Sequence, residues 1–235
     1  MRPNTGEFLT LRMKPISFFA ALAIGATMFI AGACGGDDNA KTPPADTATN
    51  TATATETNTP APTPTATPTP FDGAVTRIRI PRFGIDAPIE QLGVDSGGNM
   101  ETPADENHAV GWYPHLTSVY RPDWPSPGWD KPGWGGNATF SAHVYYHNIP
   151  APFVSLAKAA PGDEISVAME DGTTYTYKVI SNERYGRDSI PMGDILWPNK
   201  PADKEWITLI TCGGELDSTG WEYLSRDVVV AERQL

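Results

Sequence analysis

Three side chains in this sequence have the types and spacing that acyl-transfer chemistry asks for: Cys212, Arg226 and His143. A thiol attacks carbonyls as its thiolate, a minority form at neutral pH when its pKa is about 8.5, so a nucleophilic cysteine needs a neighbour that takes up or favours the proton change. An imidazole meets that need, because it can protonate a leaving amine and later deprotonate an incoming one. A guanidinium stays protonated and cannot serve as a base. It can donate hydrogen bonds to a peptide carbonyl or to the oxyanion of a tetrahedral intermediate. Cys212 closes the run Ile207-Thr208-Leu209-Ile210-Thr211-Cys212, and Arg226 follows fourteen positions later, just ahead of Val228-Val229-Val230-Ala231.

These residues must be positioned by local structure, and the apolar pattern says which. The β-branched run ending at Cys212 reads as a buried strand that Gly213-Gly214 would end, and 228–231 reads as a second strand able to lie alongside. That places a sulfur at a strand end with a guanidinium in reach. The candidate imidazole stands in Thr139-Phe140-Ser141-Ala142-His143-Val144. Thr76 to Pro81 alternates polar with apolar, and Ile85 to Ile89 resumes after a turn at Phe83-Gly84. Residues 164–169 and 174–180 are strands joined by a hairpin, since Asp171-Gly172 between alternating runs is a strong hairpin signal. Residues 153–160 fit a short helix stopped by Pro161-Gly162, and 190–196 a short turn or helix. The expected fold is mostly β, a closed and largely antiparallel barrel with short helices and long loops, rather than an alternating βαβ layout.

Composition bounds the function. With 235 residues, 40% of them hydrophobic, the chain can bury one domain-sized core. A net charge of −11 argues against nucleic acid, whose phosphates need a density of Lys and Arg absent here. Only two cysteines are present, Cys34 near the amino-terminus and Cys212 in the expected core, which argues against a disulfide framework. His143 and His147 stand four apart, a spacing that puts two metal ligands on one face only in a helix, and Pro150 with the β-branched lead-in argues against a helix. No metal site is expected. A lone cysteine in an apolar strand is more often packing than nucleophile; the lead-in, the placed arginine and the export signal described next reverse that reading.

Arg12 and Lys14 precede an apolar run from Ile16 to Ala33, near the roughly 20 residues that span a bilayer. It ends at Ala31-Gly32-Ala33-Cys34-Gly35-Gly36, which resembles a bacterial lipoprotein processing site. Residues 1–36 are read as this leader, with two outcomes: cleavage that leaves an acylated Cys34, or retention of the run as a membrane anchor. Either tethers the chain to the outer face of the cytoplasmic membrane. Residues 37–70 hold twelve Thr and seven Pro, with no Leu, Ile, Val or aromatic. Such a segment cannot bury enough apolar surface to offset its ordering entropy, so a disordered stalk is expected, with a reach of roughly 100 Å. Residues 71–235 form the expected catalytic domain. Trp124, Trp129 and Trp134 lie in a Pro- and Gly-rich loop, where they either border a site that binds sugars or extended peptide, or pack the loop onto the barrel.

Thr208-Leu209-Ile210-Thr211-Cys212 followed by Arg226-Asp227-Val228-Val229-Val230-Ala231 resembles the active-site signature of the sortases, cysteine transpeptidases of bacterial cell envelopes. The segment reaching His143, and the Phe, Leu and Gly-Asp positions at Phe153, Leu156 and Gly162-Asp163 after it, resemble the family as well. Ala142 stands where members commonly have Gly. Ile78-Arg79-Ile80-Pro81, Gly98-Asn99-Met100-Glu101-Thr102-Pro103 and Val110-Gly111-Trp112-Tyr113 are similar to the classes often called E and F. The resemblance spans nearly all of residues 75–232. It implies a sortase-type barrel in which Cys212 attacks the Thr-Gly bond of an LPXTG-like sorting signal and forms a thioacyl enzyme. An amine, on a peptidoglycan precursor or a pilin lysine, or else water, would then resolve it. By the same resemblance His143 is acid and base, Arg226 holds substrate and stabilises developing charge, Thr211 helps position substrate, and no cofactor is needed. Two other readings compete. An L,D-transpeptidase-like cysteine hydrolase would carry His and Gly just ahead of its Cys, from which Ile210-Thr211 departs, and a Trp-rich lipoprotein would bind envelope glycans without chemistry.

Overall fold

Period-two alternation decides which face each strand presents, and short turns decide the strand order. The computed structural model describes residues 70–235. Residues 1–69, which carry the apolar run, Cys34 and almost all of the Thr/Pro-rich segment, lie outside the described residues. Strands β1 (Val75–Ile80), β2 (Ile85–Gln91) and β3 (Val110–Trp112) are followed by helix α1 (Leu116–Tyr120) and β4 (Asn137–Ser141). A small hairpin of β5 (Tyr145–Tyr146) and β6 (Ile149–Pro150) leads to β7 (Glu164–Met169) and β8 (Thr174–Gly186). Helix α2 (Met192–Leu196) then precedes the long strands β9 (Trp206–Leu216) and β10 (Tyr223–Arg233).

Eight of these strands close a barrel in the order β1-β2-β3-β4-β9-β10-β8-β7. β2 with β3 and β4 with β9 are parallel pairs, and the other pairings in the barrel are antiparallel. The fold is thus the mostly β barrel with short helices that the patterning predicts. Inward-facing Ile78, Phe140, Val167, Ile207, Leu209, Val229 and Ala231 fill the interior. The opposite faces of β9 and β10 carry Ile210 and Val228 into a second cluster with Tyr113, Leu116, Trp129 and α2.

Three local expectations needed correction. Gly213-Gly214 does not end β9. Ser225 pairs with Gly213 but Tyr223 with Leu216, so β9 carries one extra residue there, a bulge that Gly214 at φ 76° accommodates and most side chains would not. Gly213 is required for space, because a Cβ there would overlap the Asp227 carboxylate. The helix expected over 153–160 is reduced to a 3-10 turn at Leu156–Lys158. Its amides bond three residues back, as Leu156 N to the Phe153 carbonyl and Ala159 N to the Leu156 carbonyl, and the Asn182 amide takes the Ala157 and Ala159 carbonyls. β8 runs past residue 180 to Gly186 because its far half pairs with β10 as far as Ser225.

The Trp-rich loop packs onto the barrel. Trp129 is buried and donates Nε1–H to the Leu196 carbonyl, and Trp134 donates to the Phe71 carbonyl. Glu205, also buried, ties this loop down at the opposite end of β9 from Cys212. It accepts from the Gly133 and Gly135 amides, from the Tyr177 hydroxyl at 2.6 Å and from Arg233 at 3.0 Å. Burial, and then the Glu205 charge, push the Tyr177 phenol well above its ordinary pKa. Glu205→Ala strands four donors at once and is expected to destabilise the domain by about 3 kcal/mol in urea unfolding, as loss of one partner in a buried ion pair does.

Candidate active site

Cys212 and Arg226 are direct cross-strand partners in the antiparallel β9–β10 pair. Their side chains therefore leave the same face of the sheet, that of Ile210 and Val228, away from the barrel interior. β4 runs parallel on the other side of β9, with Ser141 opposite Ile210 as the last paired position. Continuing that register brings Ala142 level with Thr211 and His143 level with Cys212. Ala142 belongs to the interior cluster, so alternation sends His143 outward with the sulfur and the guanidinium.

The supporting contacts hold this geometry at the backbone level. The Thr211 hydroxyl donates to the Ala142 carbonyl at 2.7 Å, so the residue before the thiol is bonded to the residue before the imidazole. That commits the hydroxyl hydrogen of Thr211 to the scaffold. Tyr113 donates to the Glu101 carbonyl and shares a 2.6 Å hydrogen bond with Ser141, fixing the end of β4. Beyond His143 the backbone is pinned by the Phe153 and Ala151 amides, which donate to the carbonyls of His143 and Val144. The β5–β6 hairpin closes through His147 and Asn148, both at positive φ. His147 is exposed and stacks on Tyr146, which in turn stacks on His143 at 5.3 Å between ring centroids.

Arg226 is 5% exposed, and its Nη1 donates to the carbonyls of Tyr223 and Ser225 in its own hairpin. Both of these partners are neutral carbonyls rather than carboxylates. Its neighbour Asp227 is turned away and paired with Arg184 at 2.7 and 3.0 Å.

One contact was not anticipated. Glu106, in the loop before β3, shares a 2.8 Å hydrogen bond between its Oε2 and His143 Nε2. Acidic residues outside the signature read as solvated surface in the sequence, and no spacing connects Glu106 with a histidine in another element. The link exists because Glu90 on β2 accepts from the Ala104 and Asp105 amides and folds that loop over the end of β4.

Electrostatics set the resting state. Burial raises the Cys212 thiol, against the opposing pull of Arg226, and nearby Glu222 and Asp227 add to the rise. Burial lowers the His143 imidazole, while Glu106 works in the opposite direction. Both shifts favour a neutral thiol and a neutral imidazole in the resting state. The singly protonated pair then persists from below the ordinary histidine value of 6.5 to above the ordinary cysteine value of 9.0. A plot of kcat/KM against pH is expected to show a broad plateau, with its acid limb below 6.5 and its alkaline limb above 9.0. A narrow bell centred near 7 would contradict it.

Cys212 and Arg226 are thus cross-strand partners on a closed β-barrel, and His143 follows two residues after the last paired position of the neighbouring strand β4. Residues 78–234 match the family model described as the sortase domain. The chain belongs to the sortase family and is a cysteine transpeptidase, of a kind that generally acts outside the cytoplasm at the cell envelope. No curated protein matches the chain significantly. Among solved structures it is similar to a lid mutant of sortase A from Corynebacterium diphtheriae, at 23% identity over 68% of this chain and 70% of that one, with a TM-score of 0.47. It is also similar to sortase C-1 from Actinomyces oris, at 20% identity over 68% and 73% of the two chains, with a TM-score of 0.48. Sortase C from Clostridium perfringens is a further similar structure, at 22% identity over 70% and 72%, with a TM-score of 0.45. Among the described residues no cluster of His, Cys, Asp or Glu could hold a metal ion, and no helix is long and apolar enough to cross a membrane.

Proposed function

We propose that Cys212 cleaves the Thr-Gly bond of an LPXTG-like sorting signal and transfers the acyl portion to an amine. The observation that supports this reading is the pairing of β9 with β10, which makes Cys212 and Arg226 cross-strand partners, together with the pairing of β4 to β9 up to Ser141, two residues before His143. In the first half-reaction the thiol proton passes to His143 and the sulfur adds to the threonine carbonyl. Arg226 donates to the oxyanion, and His143 returns the proton to the departing glycine amine as the C–N bond breaks. In the second, an amine adds to the thioester, His143 takes its proton and Cys212 leaves as the thiol. Amine acceptors of the expected kind are a peptidoglycan precursor or a pilin lysine; water in the same place would release a free carboxylate.

The rim supports an extended peptide substrate. Tyr145 and Ile149 on the β5–β6 hairpin, and Leu216, Trp221 and Leu224 around the turn between β9 and β10, are large apolar side chains left exposed on the two elements that flank Cys212. We infer also that residues 1–36 tether the enzyme to the outer face of the cytoplasmic membrane, through Cys34 or through the apolar run, and that 37–70 hold the catalytic domain of 71–235 away from it. The class E or F assignment rests on the motifs of residues 78–113.

Incubating the protein with a panel of sorting-signal peptides and hydroxylamine, followed by mass spectrometry, tests the reading. Hydroxamates ending at threonine are expected. No product with any peptide, together with glycan binding that persists in C212A, would favour a non-catalytic envelope protein.

A further inference from the structure

Glu106 meets His143 in a place built for the contact. The His143 side chain is 11% exposed and that of Glu106 24% exposed. The loop that carries Glu106 is fixed at three points around it: the Ala104 and Asp105 amides donate to the Glu90 carboxylate at 2.7 and 3.0 Å, and Asn107 Nδ2 donates to the Tyr146 carbonyl at 3.2 Å. The last of these joins the Glu106 loop to the strand whose ring stacks on the imidazole. The carboxylate also lies near enough to Tyr146 to raise its phenol pKa by charge and hydrogen bonding. A surface carboxylate meeting a histidine by chance has no such scaffold.

We propose that Glu106 is a positioning residue of the transpeptidation reaction, holding His143 by Nε2 so that Nδ1 is the nitrogen that exchanges protons with the Cys212 sulfur and the substrate amines. The inference rests on the reading of His143 as the acid and base. A carboxylate accepts only, so Nε2 must carry the hydrogen, which fixes the tautomer and the ring angle together. Its negative charge also stabilises the imidazolium that forms when the thiol gives up its proton, without touching the reacting atoms. Burial alone would leave that imidazolium scarce, and Glu106 is the anion that offsets it. Tyr146 stacks on the ring and His147 stacks on Tyr146, while Cys212 and Arg226 pair with each other on β9 and β10.

The sign of the pH effect separates this role from a structural one. Removing the charge lowers the proton affinity of the imidazole, so the doubly protonated, inactive pair forms only at lower pH. In E106Q, kcat/KM on a cleaved sorting peptide is expected to fall by on the order of 10- to 100-fold, the loss seen when carboxylates that orient metal-bound histidines are removed. Its acid limb is expected to move down by about one pH unit, as loss of an adjacent opposite charge predicts. E106D keeps the charge and should return the limb to the wild-type position while recovering only part of the rate. Titrating the 15N-labelled imidazole of His143 by NMR in full-length C212A, with and without E106Q, reads the same shift without turnover. A lower rate with an unmoved limb and an unmoved NMR pKa would overturn the proposal, as would faster turnover in E106Q, which would make Glu106 an inhibitory latch. A wild-type protein inactive on every peptide would instead count against the catalytic reading itself, and the NMR titration would still decide whether Glu106 governs His143.

Discussion

C212A is expected to lose peptide cleavage and hydroxamate formation by at least about 10⁴-fold, to the uncatalysed background, because covalent catalysis has no substitute for its nucleophile. The fold should survive. Cys212 is only partly buried and lies outside both apolar clusters, so trimming its sulfur leaves a small surface gap rather than a core cavity. The thermal midpoint should stay within about 4 °C of wild type, the shift that roughly 1 kcal/mol produces in a domain of this size. C212S should be nearly as inactive, since a hydroxyl at this position lies further from ionisation than a thiol whose pKa is already raised. A C212A enzyme that still forms hydroxamates would remove the thiol from the mechanism.

Arg226 is expected to show the second largest loss, and R226K should not rescue it. Its Nη1 is anchored to the Tyr223 and Ser225 carbonyls at 3.1 and 3.0 Å, which aims the remaining donors of a planar fork. A lysine ammonium keeps the charge but cannot hold two hairpin carbonyls and point at an oxyanion in the same geometry. R226K and R226A should each lower kcat by about 10²- to 10³-fold, as loss of an oxyanion donor does, with smaller changes in KM. The alkaline limb should also shift in R226A, because Arg226 is the cation that lowers the Cys212 pKa. Removing it raises the thiol further and moves that limb to higher pH. Wild-type kcat in R226K would mean that charge alone suffices and that the fork has no role.

Much of this was legible in the sequence, for reasons particular residues make plain. β7 matches its expected bounds because Glu164–Met169 alternates cleanly and Asp171-Gly172 supplies the turn. The β9–β10 pairing was legible because both runs are β-branched and apolar on both faces, as strands buried on two sides must be. The bulge at Gly213-Gly214 was not, since glycine marks a stop and a bulge equally well. Only the carboxylate of Asp227, pressed against Gly213 from the next strand, decides between them. The segment expected to be a helix over 153–160 closes instead with tight bonds three residues apart, and its last carbonyls are taken by Asn182 from β8, a tertiary contact that propensity cannot register. Glu106 was invisible for the same kind of reason. Its link to His143 is made by Glu90 folding an irregular loop, and that loop has no period to read.

The most direct test of the central claim is intact-mass measurement of the full-length protein, acid-quenched after brief mixing with a sorting-signal peptide at neutral pH without added amine. The account predicts a mass increase equal to the peptide portion ending at threonine, mapped by digestion to Cys212, removed by hydroxylamine and absent from C212A. Cleavage of the peptide with no adduct, or with the adduct on another residue, would contradict it.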